Sequence, residues 1–215
     1  MSYKIINLEN WRRKNHFNFF RNFTYPHYNL CANIEITDLY FFIKKQKISI
    51  FRAILYLTCK IANELPEYKQ RIVNDKVFEY EIVSPSFTYM SECDELFGYC
   101  TVEFIDNWQS FDNAVKTKLE IYKNKCDMPE DAKRQDLLYI TCIPWFSFTS
   151  FVHTINLQSV DTIPRIAWGK YFENNNKIYL PISIQAHHSL VDGIHIAKYF
   201  KKLEEYSKIP QDIFI

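Results

Sequence analysis

Apolar and polar positions along the chain alternate with a period of two in several short stretches, and elsewhere recur at helical spacing. The alternation predicts strands over residues 28–37, 77–83, 86–90, 137–143, 163–168 and 177–186, with a short one at 102–104. Helical spacing predicts a first helix over residues 10–20, with Trp11, Phe17 and Phe20 apolar and Arg12, Arg13 and Lys14 charged. It predicts further helices at 38–45, at 49–63, where the run is mostly apolar and so buried, and at 109–125 on Phe111, Ala114, Val115, Leu119 and Tyr122. Residues 126–136 are polar and read as a loop, and Asn174, Asn175 and Asn176 form a turn-favouring cluster. Strands and helices are interspersed, without repeat, linker or low-complexity tract. The expected fold class is α/β: a two-layer sandwich with a mixed β-sheet flanked by helices, in one domain over residues 1–215.

The most informative change of period lies in residues 181–200. Ile182, Ile184, Ala186 and His188 share one strand face, and Ser183, Gln185 and His187 the other, so the strand reads as half-buried. After Asp192-Gly193 the spacing turns helical through Ile196, Phe200 and Leu203. Gly193 is one of three glycines in the chain, and its place at this turn predicts a backbone shape that a larger residue would not tolerate. The chemistry of the stretch admits three readings. His187 and His188 form a satisfied, partly buried pair; or His187, His188, Asp192 and His195 supply metal ligands, against which the alternation places the two adjacent histidines on opposite faces; or one histidine is a general base acting on a substrate hydroxyl.

Composition narrows the function classes. The chain has 215 residues, 47% hydrophobic and 17% aromatic, enough for a substantial core. Its net charge is +1 and no basic run exceeds three residues, so nothing in the charge pattern points to nucleic acid. No apolar run approaches the roughly 20 residues needed to span a bilayer, and the N-terminus lacks a signal-peptide core. Six cysteines lack any Cys-x-x-Cys spacing and read as small buried hydrophobes in a reducing compartment. A cytoplasmic location and no membrane partner are expected.

The string His187-His188-x-x-x-Asp192-Gly193, in a strand–turn–helix setting, resembles the active-site signature of the chloramphenicol acetyltransferases, which the catalytic domains of dihydrolipoamide acyltransferases share. The likeness covers nearly the whole chain. Asn10-Trp11-x-Arg13-x-x-His16-Phe17 is similar to that family's opening helix, and Ile34-Glu35-Ile36-Thr37 to its first core strand. Pro85-Ser86-Phe87-Thr88 followed by Phe97, then Ile143-Pro144-Trp145, Gly169-Lys170-Tyr171 and Leu180-Pro181-x-x-x-Gln185, are similar to its later landmarks, in the same order.

The resemblance implies a set of roles. His188 is the general base that takes a proton from an acceptor hydroxyl as its oxygen attacks the thioester of acetyl-CoA, the co-substrate. Asp192 pairs with Arg13 and holds the turn, without orienting the base. Thr141 donates to the tetrahedral oxyanion, where the family has a serine or similar hydroxyl. Trp145, Lys170 and Tyr171 line the coenzyme A channel, and Phe20, Thr88 and Phe97 wall the acceptor pocket. The family also implies a homotrimer with interfacial active sites, a ternary complex, no bound cofactor, no metal and no covalent acyl-enzyme.

The sequence departs from the family in the acceptor region. Residues 151–154 are Phe-Val-His-Thr where the family has Phe-Asn-Leu-Asn, and Ala167 stands where a threonine hydroxyl is usual. His153 and Arg165 therefore join the candidate substrate-binding residues, Arg165 having a second reading as a carboxylate-paired structural residue. Three functions stay open: acetylation of a chloramphenicol hydroxyl, acetylation of another hydroxyl or amine by the same fold, and a non-catalytic scaffold. A free-standing dihydrolipoamide-type core is a further rival, against which stands the N-terminal Trp-x-Arg pattern.

Overall fold

A computed structural model describes residues 2–91, 95–123, 125–126 and 134–215. In chain order the elements are β1 (Tyr3–Ile5), α1 (Lys14–Phe20), β2 (His27–Glu35), α2 (Thr37–Lys45), α3 (Ile50–Glu64), β3 (Gln70–Val73), β4 (Lys76–Tyr80), β5 (Ser84–Met90) and β6 (Phe97–Thr101). There follow α4 (Trp108–Tyr122), β7 (Leu137–Ile143), β8 (Arg165–Gly169), β9 (Phe172–Asn174), β10 (Lys177–His187), α5 (Gly193–Lys208) and α6 (Pro210–Phe214).

The main sheet runs β2-β10-β8-β7-β5-β6, with β9 paired to β10. It is mixed: β10 is antiparallel to both β2 and β8, while β8, β7 and β5 are mutually parallel. Helices cover one face. Phe51 of α3 packs its ring 5.5 Å from Phe87 and 5.9 Å from Trp168, and the Tyr199 hydroxyl of α5 donates to Thr58 O at 3.0 Å, tying α5 to α3. Ile140, Ile166, Ile182, Ile184 and Ala186 complete the sheet side of this core.

The half-buried reading of the 181–188 strand is overturned, since β10 is buried on both faces. Residues 151–153 lie across its polar face: Ser183 Oγ donates to Phe151 O at 2.8 Å, and His153 N–H donates to Gln185 Oε1 at 2.7 Å. A polar face inside a protein must be hydrogen-bonded, and here an overlying loop supplies the partners that solvent otherwise would.

Other boundaries shift for local reasons. The first helix starts at Lys14, because Leu8–Asn10 forms a separate 3-10 turn. The strand expected at 102–104 lies instead at Phe97–Thr101, paired with β5; Val102 N–H then donates to Pro85 O and Phe104 N–H to Ser84 Oγ. The expected 126–136 loop lies largely outside the described residues. Asn175 and Asn176 adopt positive φ in the β9–β10 hairpin, as Asn74 and Asp75 do between β3 and β4, the residue types that tolerate such a turn.

In the small sheet β1-β4-β3, the central strand β4 answers to the strand expected at 77–83. Arg71 joins the small sheet to the main one. Its side chain is fully buried, and it donates to Tyr68 O at 2.9 Å, Gln70 O at 2.6 Å, Leu137 O at 2.6 Å and Gln135 O at 2.8 Å. Burial pushes the guanidinium down to about 10, so it stays charged at neutral pH. Replacing it bares buried carbonyls. Arg71→Met is expected to cost about 2–4 kcal/mol in urea unfolding; a loss below about 1 kcal/mol would mean that those carbonyls find other partners.

Candidate active site

Strand β10 ends at His187, and the chain turns before α5 begins at Gly193. His188 sits in this turn, its N–H donating to Pro26 O at 2.9 Å. Arg13, just before α1, holds the turn from three sides. Its Nε donates to Ser189 O at 2.8 Å, its Nη2 to His188 O at 2.7 Å, and both Nη atoms to the Asp192 carboxylate. The Arg13 hydrogen bonds hold the Asp192 carboxyl below its usual range, a planar fork meeting both oxygens of one acceptor.

Asp192 does more than hold the turn. Its Oδ1 lies 3.0 Å from His188 Nδ1, which corrects the expectation that it would not orient the base. A carboxylate only accepts, so Nδ1 carries the proton and the Nε2 lone pair is left free. The ring stacks on Phe20, centroids 4.0 Å apart and planes within 10°, and lies 4.4 Å from Tyr28. Tyr28 was not singled out by the sequence; it reaches the site because β2 pairs with β10, setting Tyr28 level with Ala186. Asp192 also caps α5, where its N–H donates to His195 Nδ1 at 2.8 Å. That bond occupies the His195 lone pair a metal would need, and among the described residues no group of three or more His, Cys, Asp or Glu is placed to hold an ion. Gly193 has no positive φ, and a Cβ there would meet nothing within 4 Å; nothing in the structure explains the glycine.

The other candidates gather elsewhere. Thr141 lies level with Ala167 on β8, which lies level with Ser183 on β10. Thr88 is one step beyond the Phe87–Ile140 pair, on the same face and beside Thr141. His153 Nε2 is 3.3 Å from Thr141 Oγ1. Phe97, about half exposed, is the first residue of β6, in ring contact with Tyr99. Trp145, Lys170 and Tyr171 cluster at the C-terminal ends of β7 and β8, where Lys170 N–H donates to Phe146 O at 3.0 Å and the Tyr171 ring meets Tyr40 of α2 at 4.8 Å.

These groups and His188 lie apart within one chain. His187 is four strand residues past the Ser183 level, on the order of 13 Å along the sheet from the Thr141 row and two strands across from it. The His188 ring faces Phe20 and Tyr28, at the β2 edge.

Arg165 is committed within the chain. Its guanidinium donates twice to Asp161, at 3.0 and 2.6 Å, and once to Ile163 O, over the Tyr139 ring. This is the structural ion pair of the two readings left open above, and it withdraws Arg165 from the candidate acceptor contacts.

The chain shares its fold with acyltransferase cores. A solved Azotobacter vinelandii dihydrolipoamide acetyltransferase superposes with a TM-score of 0.70 at 16% identity, over 94% of this chain and 88% of that one. The chloramphenicol acetyltransferase family model matches residues 1–204, and the chain belongs to that family. A chloramphenicol acetyltransferase of Staphylococcus intermedius is 31% identical over 214 residues, 99% of both chains. A solved chloramphenicol acetyltransferase superposes with a TM-score of 0.86 at 26% identity, over 95% of this chain and 99% of that one.

Burial keeps several histidines neutral. It pushes His187 down to about 3, helped by neighbouring His27, and pushes His27 and His153 down to about 4, each helped by Arg165. The unfolded chain takes these protons near pH 6.5 and the folded chain does not, so stability is full above that value and falls as pH drops towards 4. The unfolding free energy measured in urea is expected to fall between pH 7 and pH 5 by about 1–2 kcal/mol per histidine, before carboxylates titrate. A flat profile over that interval would show these histidines to be solvated.

Proposed function

We infer that this chain transfers the acetyl group of acetyl-CoA to a hydroxyl of chloramphenicol. The observation that carries the reading is the oriented imidazole: in a chain matching the family over residues 1–204, His188 has Nδ1 on Asp192 and Nε2 free. The acceptor hydroxyl gives its proton to His188 Nε2 while its oxygen attacks the thioester carbonyl carbon. The resulting oxyanion accepts a hydrogen bond from Thr141, and collapse expels the coenzyme A thiolate, which takes the proton back from the imidazolium. A positioned base contributes roughly 10²–10⁴ in rate, and one oxyanion donor roughly 10²–10³.

The separation of His188 from Thr141 supports a shared site. The β2 edge of one subunit, carrying His188, Phe20 and Tyr28, meets the Thr88–Thr141–His153 face of the next, with the coenzyme A arm held by Trp145, Lys170 and Tyr171. Closed three-fold symmetry satisfies every such half-site with one repeated contact. Phe97 completes the acceptor wall. A cytoplasmic location fits the free thiols of Cys31, Cys59, Cys100 and Cys142.

Thiol release from acetyl-CoA with purified protein tests the activity. Chloramphenicol-dependent release is expected, and His188→Ala is expected to lower it at least about 10³-fold. Release only with other hydroxyl or amine acceptors would move the substrate assignment and keep the mechanism; His153, a polar group where the family is apolar, favours that second reading. Release with no acceptor of a broad panel would support the scaffold reading. Co-refolding His188→Ala with Thr141→Ala chains tests the shared site: about one quarter of the sites should regain both residues under random assembly. If the mixture stays as inactive as its components, the interfacial reading fails.

A further inference from the structure

We propose that His153 is a positioning residue that aims the Thr141 hydroxyl, donating from Nε2–H to Thr141 Oγ1 so that the threonine proton is left for the substrate oxyanion. The proposal rests on the oxyanion role assigned to Thr141 above.

The geometry begins with the loop across β10. Gln185 pins the His153 backbone: Oε1 accepts from His153 N–H at 2.7 Å and Nε2 donates to His153 O at 3.5 Å. The ring stands edge-on to Phe151, centroids 4.8 Å apart, and its Nε2 reaches Thr141 Oγ1 at 3.3 Å. Nδ1 is sealed from solvent and has no partner among the described residues. Burial, with Arg165 nearby, keeps the ring neutral, so it carries one N–H.

Which nitrogen holds that proton follows from satisfaction. With the proton on Nδ1, a buried N–H would have no acceptor, the rarer and costlier fault. With the proton on Nε2, the donor is met by Thr141 and Nδ1 is only an unused acceptor. Thr141 Oγ1 then accepts from His153, and its own hydrogen must point elsewhere. Its neighbour on β8 is Ala167, whose methyl offers no acceptor, and the hydroxyl of Thr88, beside it on β5, makes no hydrogen bond to it. Thr141 is part-exposed, so that hydrogen is available to a bound thioester oxygen. A donor that itself accepts a hydrogen bond is also the stronger donor.

The test combines kinetics with a direct view of the proton. In the chloramphenicol-dependent thiol-release assay, His153→Leu is expected to lower kcat about five- to tenfold, with KM for acetyl-CoA unchanged. His153→Gln, whose side-chain amide can give the same bond, should recover most of the loss. In a Thr141→Ala background, His153→Leu should cost nothing further, because the two residues act as one unit. An equal loss in both backgrounds, or full kcat in His153→Leu, overturns the proposal. If Thr141→Ala alone keeps full kcat, the oxyanion role falls first and the proposal with it. Nitrogen-15 NMR of the wild-type protein needs no substrate: a pyrrole-type Nε2 and pyridine-type Nδ1 at His153 are expected, and the reverse assignment overturns the proposal whatever the kinetics.

Discussion

The clasp between Arg13 and the Asp192 turn is the constraint on which the candidate site depends. One guanidinium binds the Ser189 and His188 carbonyls and both carboxylate oxygens, and so fixes backbone and side chain together. The carboxylate it holds is the one that meets His188 Nδ1. Backbone position, imidazole tautomer and the start of α5 are thus set by a single charged contact between chain segments more than 170 residues apart. Part-buried, bidentate and charge-assisted, it belongs to the class of ion pairs whose breakage costs far more than that of an exposed pair.

Everything else at this end of the sheet is arranged around that turn. Phe20 and Tyr28 close on the imidazole from α1 and β2, one stacked and one tilted, so the ring has little freedom except along its Nε2 axis. The polar groups that complete the proposed chemistry, Thr141 and Thr88, sit on inner strands of the same sheet. A sheet is rigid along its strands, and no small rearrangement brings these two regions together. Under the function proposed above, these are two complementary halves of a site, an arrangement that a ring of identical subunits would resolve.

Much of the fold was legible from periodicity. β7 coincides with its expected bounds, and α2, α3, α4 and β5 differ by a few residues at most, since their apolar spacing is long and regular. β1 and β9, three residues each, are too short to show a period. The strand sought at 102–104 failed because Val102 and Phe104 are buried at the mouth of β5 without being part of a ladder. Alternation could not reveal that β10 is covered on both faces, because the cover comes from residues 151–153, some thirty positions earlier, and is polar.

The candidate site divides in the same way. The sequence by itself determined the family, through Trp11, Arg13 and the His-His-x-x-x-Asp-Gly string, and with it the residue types and their order. Those are local patterns, and a pattern is carried by residue identity alone. Only the tertiary structure decided that Asp192 touches His188, that Arg165 is taken by Asp161, that Tyr28 joins the site and that His153 reaches Thr141. Each of these depends on a few ångströms between side chains on different elements. Strand register and loop path set such distances, and both follow from the packing of the whole chain.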